Sequence, residues 1–401
     1  MRRTLVLVPL LAALSASESP VDVHGFVSQG YVATDDNAYF TPDTLSGGSG
    51  DFREIGLTIT AEPIDRTWVG IQLMSRDLGD DSSGVIVDWA FGKYTIPTAA
   101  SGWEASVCAG RIKTGHALYN DTRDLDVTRT TVFLPEVIYW TSWHDLYMAT
   151  NGGSVSLQSP RSSAGTLSFN AFYGSQNFDN DEGLMADSYV EYYGQVADRI
   201  TIGAQFGAQA TWETPVDGLM LKLSWMAARD WSADWENIDA DATSGDIYWD
   251  TDEKHDEYIF SAEYSLANWR LVGEASYWNE RSNDRYSTFN GVTANLASYD
   301  WRDYGNAAYA TINWQFHPRW DAAATAQWMI ERYEDNFGAN SAERVFAYGG
   351  AVRWSITDHW LVKAEFMLAD GTAWLREQDQ PSGTLDDDTW AMVALRTTFD
   401  F

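Results

Sequence analysis

The sequence predicts an all-β chain closed into a transmembrane antiparallel barrel of about 16 strands, and three observations predict it. Apolar and polar residues alternate with a period of two along most of the chain. Short turns and long, acidic connections follow one another in strict alternation. Aromatic residues gather near the ends of the candidate strands.

The period of two is clearest in AMVALRTTFDF, where Ala391, Val393, Leu395, Phe399 and Phe401 share one face and Met392, Arg396, Thr398 and Asp400 the other. In FREIGLTITA, Ile55, Leu57 and Ile59 oppose Glu54, Thr58 and Thr60; in LMLKLSW, Leu219, Leu221, Leu223 and Trp225 oppose Lys222 and Ser224. Such alternation describes a sheet with one apolar and one polar face. Strand candidates are 22–34, 51–61, 65–77, 84–95, 104–112, 152–159, 165–175, 200–212, 217–229, 255–266, 269–280, 303–315, 320–332, 344–355, 359–370 and 388–401. EPID, SPRSS, ETPVD, LAN, FHPR and ITDH form one set of connections; 35–50, 113–151, 176–199, 230–254, 281–302 and 371–387 form the long set. Short turns on one rim and long loops on the other are the layout of an outer-membrane barrel. The same parity assigns DSYVEYYGQV (187–196) to a loop, because an extra strand there would make the number odd.

Residues 1–19 carry Arg2 and Arg3, an apolar run from Leu5 to Leu14 and then small residues, the anatomy of a secretory signal. Beyond it no apolar stretch is long enough for a membrane helix, and 20–401 reads as one domain with no linker. The lone Cys108 excludes an intrachain disulfide framework. A net charge of −32 argues against nucleic acid as a partner. A secreted β-sandwich array also alternates, but it would not place Trp68, Tyr94, Trp103, Trp212, Trp269, Trp278, Trp314, Trp320, Trp354 and Trp360 near strand ends, where a membrane girdle belongs. In lipid every backbone N–H and C=O needs a neighbouring strand, and only closure removes the edges. At this strand number the interior is too wide for side chains to fill and holds water, which reconciles a membrane protein with a mean hydropathy of −0.32.

The opening strand VDVHGFVSQGYVAT, the closing strand ending TTFDF and the run GRIKTGHALYNDTRDLDVTRTTVFLPEVIYW resemble those of Gram-negative outer-membrane porins, over essentially the whole mature chain. The resemblance implies an outer-membrane location facing lipid and lipopolysaccharide, and insertion by the barrel-assembly machinery, which would read Phe399 and Phe401. It also implies an inward-folded third loop, 113–151, narrowing the pore with Tyr119 to Pro135, and a possible homotrimer. The constriction set is then Arg111, Lys113, Tyr119, Asp121, Arg123, Asp124, Asp126 and Arg129. Where general-diffusion porins often have an acidic, Gly-containing motif, this chain has NDTRDLDVTR, so the charge pattern of the eyelet departs from theirs.

Strand phase independently turns Arg353, Lys363 and Arg396 inward from three consecutive strands, with Arg76 and Lys222 on the polar face. Glu263 and Glu274 point inward from the tenth and eleventh, and Glu365 lies near the basic set. A basic wall facing an acidic one sets a transverse field; alternatively Lys363, Glu365 and Arg396 pair with one another. Alternation puts Arg111 outward with Trp103, Val107 and Ala109, unless a bulge at Gly110 flips the phase or a neighbouring protomer covers that side.

The acids of 230–254 (Asp230, Asp234, Glu236, Asp239, Asp241, Asp246, Asp250, Asp252, Glu253) have no fixed ligand spacing, so a solvated loop and no metal is expected. Among His24, His116, His144, His255, His317 and His359, only His144 beside Asp145 is a candidate base, and no nucleophile or zinc motif accompanies it. No enzyme activity and no cofactor is expected. The expected function is passive diffusion of small hydrophilic solutes and ions. The alternative is a substrate-specific channel for sugars or other small organic solutes, with Tyr139, Trp140, Trp143 and Tyr147 as an aromatic slide.

Overall fold

The structure, a computed structural model, describes residues 21–79, 81–98, 102–179, 195–237, 247–251, 253–289, 292–382, 385 and 389–401. The export signal, residues 187–194 of the weighed extra strand and 238–246 of the acidic loop lie outside these. The strands are β1 (Val21–Thr34), β2 (Ser49–Ile64), β3 (Thr67–Leu78), β4 (Asp81–Ile96), β5 (Glu104–Lys113), β6 (Ala149–Gln158), β7 (Thr166–Asp179), β8 (Gln195–Glu213) and β9 (Leu219–Asn237). They continue as β10, in two pieces (Ile247–Thr251 and Lys254–Leu266), β11 (Trp269–Phe289), β12 (Val292–His317), β13 (Trp320–Asp335), β14 (Asn340–Ser355), β15 (Trp360–Gly371) and β16 (Thr389–Asp400). Both pieces of β10 pair with β9 and β11, so they occupy one position in a closed, all-antiparallel barrel of 16 strands.

Each strand pairs with its neighbours in sequence, and β1 closes the ring on β16, with Val27 opposite Phe399 and also opposite Ile55 of β2. The backbones of Gly25 and Phe401 exchange two hydrogen bonds of 3.0 Å across this seam. Burial follows the sequence alternation but inverts a water-soluble protein's. Val27, Ile55, Phe260, Leu271 and Leu395 are exposed, whereas Ser28, Glu54, Ser261, Glu274 and Arg396 are buried. The apolar face looks outward and the polar face inward, as a barrel in lipid requires.

Trp68, Tyr94, Trp103, Trp212, Trp269, Trp314, Trp354 and Trp360 are exposed at the short-turn rim. There Trp269 stacks on Trp314 at 5.2 Å and Trp320 on Trp354 at 5.3 Å. Trp278 does not belong to this girdle: it is buried inside the barrel, edge-on to Trp140 at 5.4 Å. Its even number puts it on the face of Val272 and Glu274, opposite Trp269 and Leu271.

The long acidic segment 281–302, expected as a loop, is mostly strand. Pairing runs unbroken in direction from Arg281 opposite Arg302 to Phe289 opposite Val292, with one irregularity near Asp284. β12 therefore reaches 26 residues, against about 10 needed to cross a bilayer. Likewise β9 extends to Asn237 and β10 begins at Ile247, so part of 230–254 is strand. Outside lipid a strand needs partners but no apolar face, so polar composition there conceals sheet.

Gly110 has φ +132°, a backbone region open mainly to glycine, and a Cβ there would meet Ala90 O at 2.2 Å. Pairing across it keeps register on both sides, with Gly110 opposite Phe91 and Gly152. It is therefore no bulge, and the phase does not flip. Ile112 is buried against the interior while Val107 and Ala109 are exposed, which leaves Arg111 on the outer phase.

Candidate functional site

Residues 114–148, between β5 and β6, fold into the lumen and end in a short helix, α1 (His144–Met148). The walls that flank this third loop explain why it stays inside. On the side of β2, β3, β15 and β16, Asp124 accepts from Arg76 Nη2 at 2.8 Å and from Gln72 Nε2 at 3.3 Å. Asp126 accepts from Lys363 Nζ at 2.8 Å and from the Thr398 hydroxyl at 2.7 Å. Lys363, with no exposed surface, also donates to the carbonyls of Asp126 (2.6 Å) and Thr131 (3.0 Å). Glu365 accepts from the backbone N–H groups of Val132 (2.6 Å) and Phe133 (3.1 Å). Arg353 donates to Val127 O at 2.7 Å and pairs with Asp321 at 2.6 Å.

On the opposite side Glu274 accepts from Leu118 N at 2.9 Å, from Tyr309 OH at 2.7 Å and from the hydroxyls of Tyr139 and Ser261. His116 Nε2 lies 2.9 Å from Glu257 Oε2, and Lys222 Nζ donates to Ala117 O at 3.3 Å. The loop thus spans the barrel interior and is bonded to both walls.

Of the expected constriction residues, Tyr119, Arg123, Asp124, Asp126 and Arg129 are buried within this assembly. Lys113 stands at the loop's root, donates to Asp121 O at 2.7 Å and lies 5.6 Å over the Trp89 ring; Asp121 itself is exposed. Arg111 is not part of the eyelet: on its outer phase it donates Nε to Asp88 O at 2.7 Å. Among wall residues, Arg76, Lys222, Glu274, Arg353, Lys363 and Glu365 touch the loop through the bonds above. Arg396 bonds to Ser28 Oγ at 2.6 Å and to Glu54. Glu263 pairs at 2.7 Å with Arg270, whose guanidinium lies 5.3 Å from the Tyr119 ring. The expectation that Lys363, Glu365 and Arg396 pair with one another is corrected. The bases pair with loop acids and with Glu54, and Glu365 takes loop backbone. Phe399 and Phe401 are exposed at the seam.

Sequence reasoning missed the carboxylates that complete this network. Glu54 bridges Arg76 (2.6 Å) and Arg396, and Glu136 accepts from Tyr39 OH at 2.9 Å and Thr141 N at 2.9 Å. Glu54 stood on the polar face of its strand, a signal that was available. It also missed that the loop packs on inward apolar side chains, among them Met329, Val345, Met367, Trp390 and Met392, so part of the lumen wall is a hydrophobic core.

Burial alone would raise the Asp126 carboxyl, yet the Lys363 ammonium, and behind it Arg396 and Arg129, hold it well below the usual carboxylate range. Against the same burial, Asp124 is held low by His144 and Arg76. Carboxyls depressed in the folded state contribute stability that is full above their unfolded value of about 4 and is lost as pH falls through the folded value. Protease protection of residues 119–135 is therefore expected to stay constant from pH 7 to about 4 and to fall only below that. Protection lost above about pH 5 would show that other groups hold the loop. Glu136 moves the other way: burial pushes its carboxyl up.

His144 has both ring nitrogens engaged by carboxylates, Nδ1 at 3.1 Å from Asp145 and Nε2 at 3.2 Å from Asp124. It is a strut of the loop. Tyr139 and Tyr147 are buried; Trp140 and Trp143 are half-buried and meet edge-on, 6.2 Å apart at 88°. Among the described residues no group of three or more His, Cys, Asp or Glu is placed to hold a metal ion.

Beside the loop a cavity of about 50 Å³ is lined by Arg76, Arg123, Arg129, Arg396, Glu54 and His144, among others. Towards the short-turn rim a larger pocket of about 170 Å³ is lined by polar side chains including Lys93, Thr95, Glu104, Ser106, Gln209 and Thr211.

No family model matches the sequence, and no curated protein matches it. Solved structures do. The outer-membrane expressed OmpT of Vibrio cholerae superposes with a TM-score of 0.56 at 13% identity, over 96% of this chain and 98% of that one. An anion-selective porin from Comamonas acidovorans gives 0.52 at 12%, over 96% and 100%, and the outer membrane channel DcaP of Acinetobacter baumannii 0.52 at 10%, over 96% and 97%. The fold is that of the Gram-negative outer-membrane porins. At these identities the likeness speaks for the fold alone, over 96% of this chain.

Proposed function

We propose that this chain is an outer-membrane porin, a water-filled channel for passive diffusion of small hydrophilic solutes and ions. In this reading it is exported through residues 1–19, inserted by the barrel-assembly machinery and surrounded by lipid and lipopolysaccharide. The observation that carries the reading is the third loop bonded to both walls, through Asp124 and Asp126 on one side and Glu274 on the other. In this reading a loop so placed narrows the lumen above the polar pocket near the short-turn rim, so solutes are filtered by size and charge. Passive conduction needs no nucleophile or cofactor, and the two carboxylates on His144 support a structural role for that ring.

The sugar-specific alternative needs aromatic faces along the path. The burial of Tyr139 and Tyr147 and the edge-on pairing of Trp140 with Trp143 speak against it. Reconstituted into planar bilayers, the chain is expected to give stepwise conductance, and its complete absence would overturn the channel reading. Saturable block by a neutral sugar, relieved in Trp140→Ala, would favour the specific channel instead.

A further inference from the structure

We propose that the crevice between the third loop and the β2–β3–β16 wall binds a small oxyanion, a carboxylate or phosphate group, through guanidiniums that the loop itself supplies. The proposal deepens the channel reading by naming a solute class, and rests on it only in that the crevice is reached through the lumen.

Arg123 donates Nη2 to the carbonyls of Tyr139 (2.9 Å) and Trp140 (2.8 Å), and among the described residues its Nη1 has no partner. Arg129 donates Nη1 to Arg123 O at 2.7 Å, and its Nε has none. Arg396 bonds through Nη2, and its Nε lies 3.7 Å from Asp126 Oδ1, beyond a hydrogen bond. These side chains are only 6%, 9% and 8% exposed and line the same cavity. Buried polar atoms are nearly always satisfied, so orphaned cationic N–H groups from three residues around one crevice point to a ligand that accepts and carries negative charge.

Charge bookkeeping agrees. Glu54 is the one carboxylate among the described lining residues, and Arg76 and Arg396 already take its oxygens. Asp126 bonds to Lys363 and Thr398 and lies only 3.6 Å from Arg129 Nη2 and 3.7 Å from Arg396 Nε, beyond a hydrogen bond, and Asp124 is taken by Arg76, Gln72 and His144. Glu136, the carboxylate that acts most strongly on Arg123, accepts from Tyr39 and Thr141, and Glu365 accepts from the backbone N–H groups of Val132 and Phe133, so neither hydrogen-bonds to a guanidinium of the crevice. Arg123 receives only carbonyl oxygens, and Arg129 hydrogen-bonds only to carbonyls with the Asp126 carboxylate 3.6 Å away, where a buried guanidinium favours a directly bonded anion. Burial pushes both guanidiniums down, more than the neighbouring carboxylates restore.

Size then selects the ligand. A cavity of about 50 Å³ holds about three to five water-sized positions, which suits a carboxylate or phosphate group and excludes a sugar ring. The planar fork of arginine matches the paired oxygens of either group.

The test is calorimetric titration of the purified full chain in detergent, in low-chloride buffer, with sodium phosphate and separately with sodium acetate. Saturable binding is expected, at least tenfold weaker in Arg123→Gln and unchanged in Lys93→Gln, which alters only the lower pocket. Phosphate alone, acetate alone or both giving saturable heat would each support the site and identify which oxyanion it takes. Arg123→Lys, which keeps the charge and loses the fork, is expected to fall between, and it carries the comparison if the glutamine variant does not fold. No saturable heat with either anion, undiminished binding in Arg123→Gln, or equal loss in Lys93→Gln overturns the proposal. Conductance measured on the same preparation is a separate readout: binding without conductance strikes at the channel reading, and conductance without binding at this one.

Discussion

Asp126→Ala is expected to free the third loop from the β15–β16 wall and to destabilise the barrel by about 3–5 kcal/mol, the scale for stripping one partner from a buried ion pair. Lys363 has no exposed surface, and its ammonium is held by the Asp126 carboxylate and by the carbonyls of Asp126 and Thr131. Removing the carboxylate leaves a buried cation beside two others, Arg129 and Arg396, that also look to Asp126 at 3.6 and 3.7 Å. Chemical denaturation of the folded barrel reads the loss, and protease cleavage within 119–135 reads the release of the loop. The second change Lys363→Met is expected to restore much of the stability, because a buried ion pair exchanged as a whole for apolar groups is often nearly neutral. A double-mutant cycle with no coupling between the two positions would refute the lock.

Glu274→Ala is expected to have a comparable effect from the other side of the lumen, about 3–6 kcal/mol. One carboxylate there receives the Leu118 N–H and the hydroxyls of Tyr139, Tyr309 and Ser261. Its loss orphans buried donors from one loop and two strands at once, and each unsatisfied buried group costs about 1–3 kcal/mol. Glu274→Gln keeps an acceptor oxygen and is expected to lose about half as much. The temperature at which the barrel's compact form disappears on unheated gels reads both. If the alanine variant matches wild type in that temperature and in loop proteolysis, the loop is held from one wall only.

The sequence made the strands legible because lipid enforces a strict rule: Val27, Ile55 and Leu395 must face out, and so the alternating residues must face in. The rule fades where lipid ends, which is why RSNDRYSTF read as loop although it is paired strand. Trp278 was misassigned for a related reason. Position near a strand end says girdle, but parity says interior, and parity is the stronger constraint. The inward direction of Lys363 and Arg396 followed from phase. The partner of Lys363 did not, because Asp126 comes from a loop whose path across the lumen has no periodicity, and the same holds for Asp124, the partner of Arg76. The apolar patch of Met329, Met367 and Met392 was hidden likewise: these residues interrupt a polar face, and only the loop folded onto them explains why they are there.

The seam between β1 and β16 carries a consequence for assembly. Every other strand pairing joins sequence neighbours through one turn or loop, so each can form as a local hairpin. Gly25 and Phe401 belong to the first and last strands and are 376 residues apart in sequence (401 − 25), yet they exchange backbone hydrogen bonds. Joining chain ends this far apart costs about 5 kcal/mol of loop-closure entropy if nothing else is formed. If the hairpins zip first, their accumulated twist and tilt bring the two edges together and most of that cost has already been met. The ring is then a zipper with a final click: slow, non-local closure comes last, and until it does the two open edges are the most vulnerable part of the molecule.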